Sequence, residues 1–258
     1  MVTYLSRHPI YLIEQLIRIL FIINHKAIKM KKLLLSLLLL STVSLNAQYC
    51  IFFDFEAKEP EMVVSTLKGM METGWGKNIQ GTKSLFAYQF NGTNQATHSV
   101  QFCFPNEKAF AQFFNSWAMS VDAQLFGEKL GKFTHNVSQS LNTPIWYNGQ
   151  DWANDNAFML YQMDVSDSAT YLKEFKSFSQ KMAKKIGFDK NSYGLAFPIV
   201  GKTAEFSHFV WVGAPDVETA LSRTKKMMSD PLFAEFSKKV SGVRKLVNTT
   251  LSIRVMDF

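Results

Sequence analysis

The chain is predicted to fold as an α+β protein made of two consecutive strand–helix–strand–strand–helix–strand units. Three observations carry that expectation. Hydrophobic periods of two and of 3.6 residues alternate along residues 49–258, and they do so in the same order twice. Six identities recur at a constant offset of 110: Asp54/Asp164, Leu85/Leu195, Thr93/Thr203, His98/His208, Val100/Val210 and Pro105/Pro215. A stretch rich in Asn, Gly and Trp, residues 142–156, separates the two halves. The shared order of elements is the stronger argument, because the identities exceed chance only modestly.

In the first half Tyr49–Phe55 is a strand-like run of aromatics and Ile. A helix follows from Pro60, a residue suited to the first helical turn, and is expected to bury Met62, Val63, Leu67, Met70 and Met71. Ser84–Phe90 and His98–Phe104 read as strands separated by the turn-forming Asn91-Gly92-Thr93-Asn94. Asn106 is a good N-cap for a helix presenting Ala109, Phe110, Phe113, Phe114 and Trp117 on one face. A last strand falls between Phe133 and Ile145. The second half repeats the course: strand Phe158–Val165, a helix after Asp167 with Tyr171, Leu172, Phe175, Phe178 and Met182 inward, and strands Ser192–Val200 and Phe206–Val212 across Gly201-Lys202-Thr203. A helix after Asp216 carries Leu221, Met227 and Met228, a short helix starts at Pro231, and Leu246–Val255 closes the unit.

Ahead of these units, Met30–Gln48 has a dibasic opening, an apolar run from Leu33 to Leu40 and an exit ending in Ala47, the pattern of a secretory signal peptide. Residues 1–29 then read as an over-extended start, and a membrane-surface helix over Ile10–Ile23 is the other reading. The expected organisation is therefore 1–29 upstream, 30–47 signal peptide, 48–145 first unit, 146–156 linker and 157–258 second unit. A periplasmic or secreted location follows from it. The first 47 residues hold six of the 28 basic residues and one of the 21 acidic ones. The exported body carries a net charge near +2 instead of +7, with no basic stripe of the kind nucleic acid needs. Neither Cys-x-x-Cys nor His-x-x-x-His occurs, so no metal site is expected.

Each half, by its element order, is a ferredoxin-like split βαβ unit with helices on one face of its sheet. Pro198 fits, since it falls in the second strand of its unit, an edge strand. Two such units cover their bare faces by packing sheet to sheet. At this level the chain resembles the dimeric α+β barrel superfamily, in the version with both halves in one polypeptide. The resemblance spans nearly all of residues 49–258 and rests on element order alone. It implies a range of activities: cofactor-independent monooxygenases, haem enzymes and small binding proteins share the fold.

Strand alternation then sorts the side chains. Ile51, Phe53 and Phe55, with Val100, Phe102 and Phe104, are expected to meet helices, while Cys50, Phe52, Asp54, Gln101 and Cys103 face the barrel. In the second half Leu160, Gln162, Asp164, Phe209 and Trp211 face the barrel. Cys50 and Cys103 lie on antiparallel neighbours with the same facing, so they form either a disulfide or two buried thiols. Asp54, Gln101, Gln162, Asp164 and Trp211 are the candidate ligand-binding residues, as polar groups on otherwise apolar strands. The two aspartates read either as turn-capping groups or as a base at the barrel mouth. His98 and His208 read as structural, bonded to a loop carbonyl, or as a proton relay or haem ligand. Trp146 and Trp152 are expected to strap one end. The reading that follows is an exported binder of a small apolar or aromatic molecule, compatible with a homo-oligomer and with no membrane span after cleavage. A monooxygenase or haem-dependent enzyme of the same superfamily is the alternative, and a non-catalytic interaction protein the second. No cofactor is identified, haem being the one kept open.

Overall fold

The computed structural model describes residues 48–201 and 206–258. The expected signal peptide and upstream segment, and Lys202 and Thr203 of the second-half turn, lie outside the described residues. The first half comprises β1 (Tyr49–Ala57), α1 (Pro60–Glu72), a single turn α2 (Gly74–Lys77), β2 (Thr82–Gln89), β3 (His98–Phe104), α3 (Glu107–Met119), α4 (Val121–Phe133) and β4 (Thr134–Tyr147). The second comprises β5 (Ala157–Val165), α5 (Ser168–Ile186), β6 (Tyr193–Val200), β7 (His208–Ala214), α6 (Val217–Met228), α7 (Pro231–Val240) and β8 (Arg244–Asp257). Among the described residues no helix is long and apolar enough to cross a membrane.

The strands close into one antiparallel barrel in the order β1-β3-β2-β8-β5-β7-β6-β4. This is the expected single-chain α+β barrel, and its two half-sheets are continuous rather than separate. The bare faces do look at one another across the interior, but both seams are hydrogen-bonded. The reason is the length of β4 and β8, 14 residues each. β4 pairs with β1 over its first part and with β6 from Leu141 onward. β8 pairs with β5 from Arg244 to Ile253 and with β2 from Leu251 to Asp257. Closure gives every described strand a hydrogen-bonded neighbour on both sides.

Pro198 consequently does not sit on a free edge. It pairs with Asn142 beside a register shift in β4, and the ladder to β7 has already stopped at Ala196. A bulge, rather than an edge, accommodates the missing N–H.

Side-chain alternation divides the strands as expected. Ile51, Phe55, Val100, Phe102 and Phe104 pack against Val63, Leu67, Met70, Phe113 and Phe126 of the first-half helices. Met163, Val165 and Val210 pack against Tyr171, Phe175, Phe236 and Val240 in the second. Asn106, Ser120, Asp167 and Asp216 cap α3, α4, α5 and α6 by accepting backbone N–H bonds. The helix α4 was not legible, because Gly127 and Gly131 interrupt its apolar pattern. Met62, Phe114, Leu221 and Met228, expected on buried helix faces, are exposed.

Candidate functional site

The registers reveal which residues are equivalent in the two halves. Phe55 pairs with His98, and Met163 pairs with His208. The third strands therefore correspond at an offset of 110, but the first strands correspond at 108. Asp54 is matched by Gln162, not by Asp164. The supporting residues match too. Asp54 lies opposite Ser138 of β4 and Gln162 opposite Asn248 of β8, each next to a register shift. Ser138 Oγ donates to Asp54 Oδ2 at 3.0 Å, and Asn248 Nδ2 donates to Gln162 Oε1 at 3.3 Å. Bulges at such positions re-aim side chains. Here they flank a carboxylate and its amide counterpart, both facing the interior.

That interior is divided. Phe52, Asn142, Leu160 and Phe209 form a waist, with Phe52 and Phe209 ring centroids 5.8 Å apart. On one side lies a chamber of about 450 Å³ lined by Asp54, Tyr88, Ser138, Gln162 and Asn248 together with Phe206. On the other is an aromatic void of about 70 Å³ among Phe86, Phe158, Trp152, Trp211, Gln101 and Ser252. The first volume falls in the range of ligand sites, whereas the second is smaller than a benzene-sized cavity.

Asp54 anchors the large chamber. Tyr88 Oη donates to its Oδ1 at 2.9 Å, so three strands converge on one carboxylate. Burial pushes its pKa up from the ordinary aspartate value, against the hydrogen bonds from neighbouring hydroxyls, which lower it. Burial, and then the Asp54 charge, push the Tyr88 phenol well above its usual value. Tyr88 thus stays a proton donor to Asp54, and Asp54 is a base whose neutral form is easier to reach than in water.

Trp211 and Gln101 occupy equivalent places on β7 and β3 and both line the small void. Trp211 fits because Gly194 is opposite it: a Cβ there would lie 2.4 Å from the indole ring and 2.7 Å from the Trp146 carbonyl. The Trp211 Nε1–H and the Ser252 hydroxyl are buried without a hydrogen-bond partner among the described residues. Cys50 and Cys103, directly opposite in the β1–β3 ladder, are joined as a disulfide on the same wall. Trp152 covers the void, held by Arg254. The guanidinium donates to the Trp152 carbonyl at 2.6 Å and to Asp257 at 2.7 Å, and sits over the rings of Phe86 and Phe158. Trp146 instead belongs to β4 and packs outside the barrel on Phe175 and Tyr193.

Of the sequence-derived candidates, Asp54 and Gln162 meet in the large chamber and Gln101 and Trp211 in the small one. Asp164 is exposed near the end of β5, opposite Lys245, and lines neither. His98 and His208 lie on the helix side. Their ring nitrogens meet hydroxyls: Thr97 Oγ1 at 2.9 Å for His98, and Ser207 Oγ at 2.9 Å and Ser168 Oγ at 3.0 Å for His208. Sequence reasoning missed Ser138, Asn248 and Arg254, and it leaves Tyr88 unassigned because the strand carrying it shows no clear parity. The polar residues spaced by two, Ser138/Ser140/Asn142 and Asn248/Thr250/Ser252, were the available signal.

Among the described residues no three His, Cys, Asp or Glu side chains are placed to hold a metal ion. The donor set does not fit haem either, which is held by His, Cys, Met or Tyr. Neither chamber is lined by a described His or Met, the cysteines are bonded to each other, and Tyr88 is engaged by Asp54. The helix-side cavity holding Met159, Tyr161 and Met227 measures only about 20 Å³.

No protein-family model and no curated protein matches the chain. Solved structures do. One is an anthrone oxidase-like protein (10% identity, TM-score 0.54, covering 83% of this chain and 94% of that one). Another is a candidate monooxygenase from Lactobacillus acidophilus (11%, 0.52, 82% and 95%). A third is a heme-binding protein from Thermus thermophilus (9%, 0.50, 82% and 92%). At these identities the likeness concerns the fold alone. It is the dimeric α+β barrel fold, with both halves in one chain.

Proposed function

We propose that this chain is an exported barrel protein that binds one small molecule with an aromatic or apolar body and a hydrogen-bonding group. The observation that carries the reading is the chamber of about 450 Å³ inside the barrel, where Phe52, Phe206 and Phe209 face a fixed carboxylate and amides. A barrel serving only as a scaffold for surface helices would fill that space with side chains. Apolar walls with a few oriented polar groups are what small-ligand sites have in common. Native mass spectrometry of the full-length gene product recovered from the periplasm tests both parts. A mature chain beginning at Gln48 and carrying a small-molecule adduct is expected. Absence of the chain from the periplasmic fraction, with the product retained in the cytoplasm and uncleaved, would refute export. An adduct-free protein whose melting temperature no aromatic compound shifts would refute binding.

A second reading is favoured by Asp54 itself. A carboxylate raised by burial, open to a chamber and oriented by Tyr88 and Ser138 suits general-base removal of a ligand proton. Two of the fold neighbours are named for oxidase-like or monooxygenase activity, which agrees with such a step. Oxygen uptake with an electron-rich phenol, lost in Asp54→Asn, would move the protein from binder to enzyme. Uptake unchanged in that variant would exclude Asp54 as the base.

A further inference from the structure

We propose that the large chamber is selective for small organic monocations, an ammonium group on an aromatic or apolar body, with Asp54 as the counter-ion. The inference rests on the small-molecule reading above and names the class of ligand.

The argument is one of charge balance. Asp54 is the single formally charged side chain among the described residues lining the chamber, and no described Lys, Arg or His lines it. Its neighbours are hydroxyls: Tyr88 Oη on one oxygen, Ser138 Oγ on the other, and Ser99 opposite it in the β1–β3 ladder. Hydroxyls fill lone-pair directions but bring no opposite charge, so the carboxylate is oriented yet not neutralised. Each carboxylate oxygen accepts more than one hydrogen bond, so acceptor capacity is left over toward the cavity. An ammonium supplies donors and the counter-charge together.

The rest of the chamber suits the same class. Phe52, Phe206 and Phe209 line it, and aromatic rings suit both an apolar body and a cation. At the place equivalent to Asp54 the second half carries Gln162, whose Oε1 already accepts from Asn248. The described lining therefore offers one negative charge and not two, matching a single positive charge. An anionic ligand would face Asp54 with no compensating charge among the described lining residues. Tyr88 is the only other titratable group on the described lining, and its displacement away from ionisation leaves Asp54 to set the pH response.

Three probes of similar size test this on the full-length protein by titration calorimetry: 2-phenylethylamine and its isostere 2-phenylethanol, with phenylacetate as the anion. The amine is expected to bind on the order of tenfold to a hundredfold more tightly than the alcohol, the range of a charge-assisted hydrogen bond, and phenylacetate most weakly. Between about pH 4 and pH 8 amine affinity should rise as Asp54 loses its proton, while alcohol affinity stays flat. Asp54→Asn should erase the preference for the amine and keep alcohol binding. The pH series on the unmodified protein decides the matter if that variant does not fold. Equal affinity for amine and alcohol, or a flat amine profile, overturns the charge selectivity and leaves the binding reading standing. Failure of all three probes to bind overturns both.

Discussion

Removal of the Cys50–Cys103 crosslink tests the register of the first half in energetic form. The bond closes a loop with a sequence separation of 53 residues, between positions directly opposite in the β1–β3 ladder. Loop-closure entropy for that length gives roughly 4 kcal/mol at 25 °C. For a chain of this size that corresponds to a fall in melting temperature of roughly 8–16 °C. The native barrel should survive the loss, because both cysteines keep their backbone pairing and the destabilisation acts on the unfolded chain. Guanidinium unfolding of the oxidised protein, the reduced protein and Cys50→Ala/Cys103→Ala measures it. Free energies are the quantity to compare, since a crosslinked unfolded chain is more compact and lowers the m-value. Oxidised protein and double variant agreeing within about 0.5 kcal/mol would refute the loop-closure reasoning.

Other expectations follow from the site. Because the Asp54 carboxyl is raised in the folded protein, the native state holds its proton longer than the unfolded one. Its burial therefore removes stability as pH rises from the unfolded aspartate range through the folded value. Asp54→Asn should gain on the parent protein from acid to neutral pH, and a constant or shrinking difference in melting temperature would contradict this. Phe209→Ala opens the waist and should cost about 3–5 kcal/mol while letting longer arenes bind, as read by denaturation and calorimetry. Gly213→Ala places a Cβ 2.1 Å from Asp155 Oδ2, which accepts from the Ser192 backbone N–H and hydroxyl. A loss of about 2 kcal/mol or more is expected in chemical denaturation. Asp164→Asn, on an exposed position, should change stability by no more than about 0.5 kcal/mol and leave ligand affinity intact. A tenfold loss of affinity would bring Asp164 back into the site.

The error over Asp164 shows why a repeat can be half-read. Matching the halves without gaps at 110 residues slips the first strands by two. Side chains in a strand repeat every two residues, so the slip preserves the facing and moves the position by roughly 6.6 Å along the strand. Facings such as Cys50/Phe52/Asp54 against Ile51/Phe53/Phe55 were therefore legible, while the partner of Asp54 was not. The histidines follow the same logic. Parity put them toward the helices, but their hydroxyl partners, Thr97, Ser207 and Ser168, come from loop and helix-start positions that alternation does not reach.

What the sequence determined by itself is local: which segments form strands or helices, and which face of each is apolar. Both depend only on dihedral preference and on the spacing of side chains along one element. Tertiary structure alone decided how the 14-residue β4 and β8 weld the halves into a barrel, and how Phe52 and Phe209 split its interior. It also decided that Asp54 stands there without a counter-ion among the described lining residues. Those features arise between residues far apart in the chain, where register, bulges and packing volume, not periodicity, set which side chains meet.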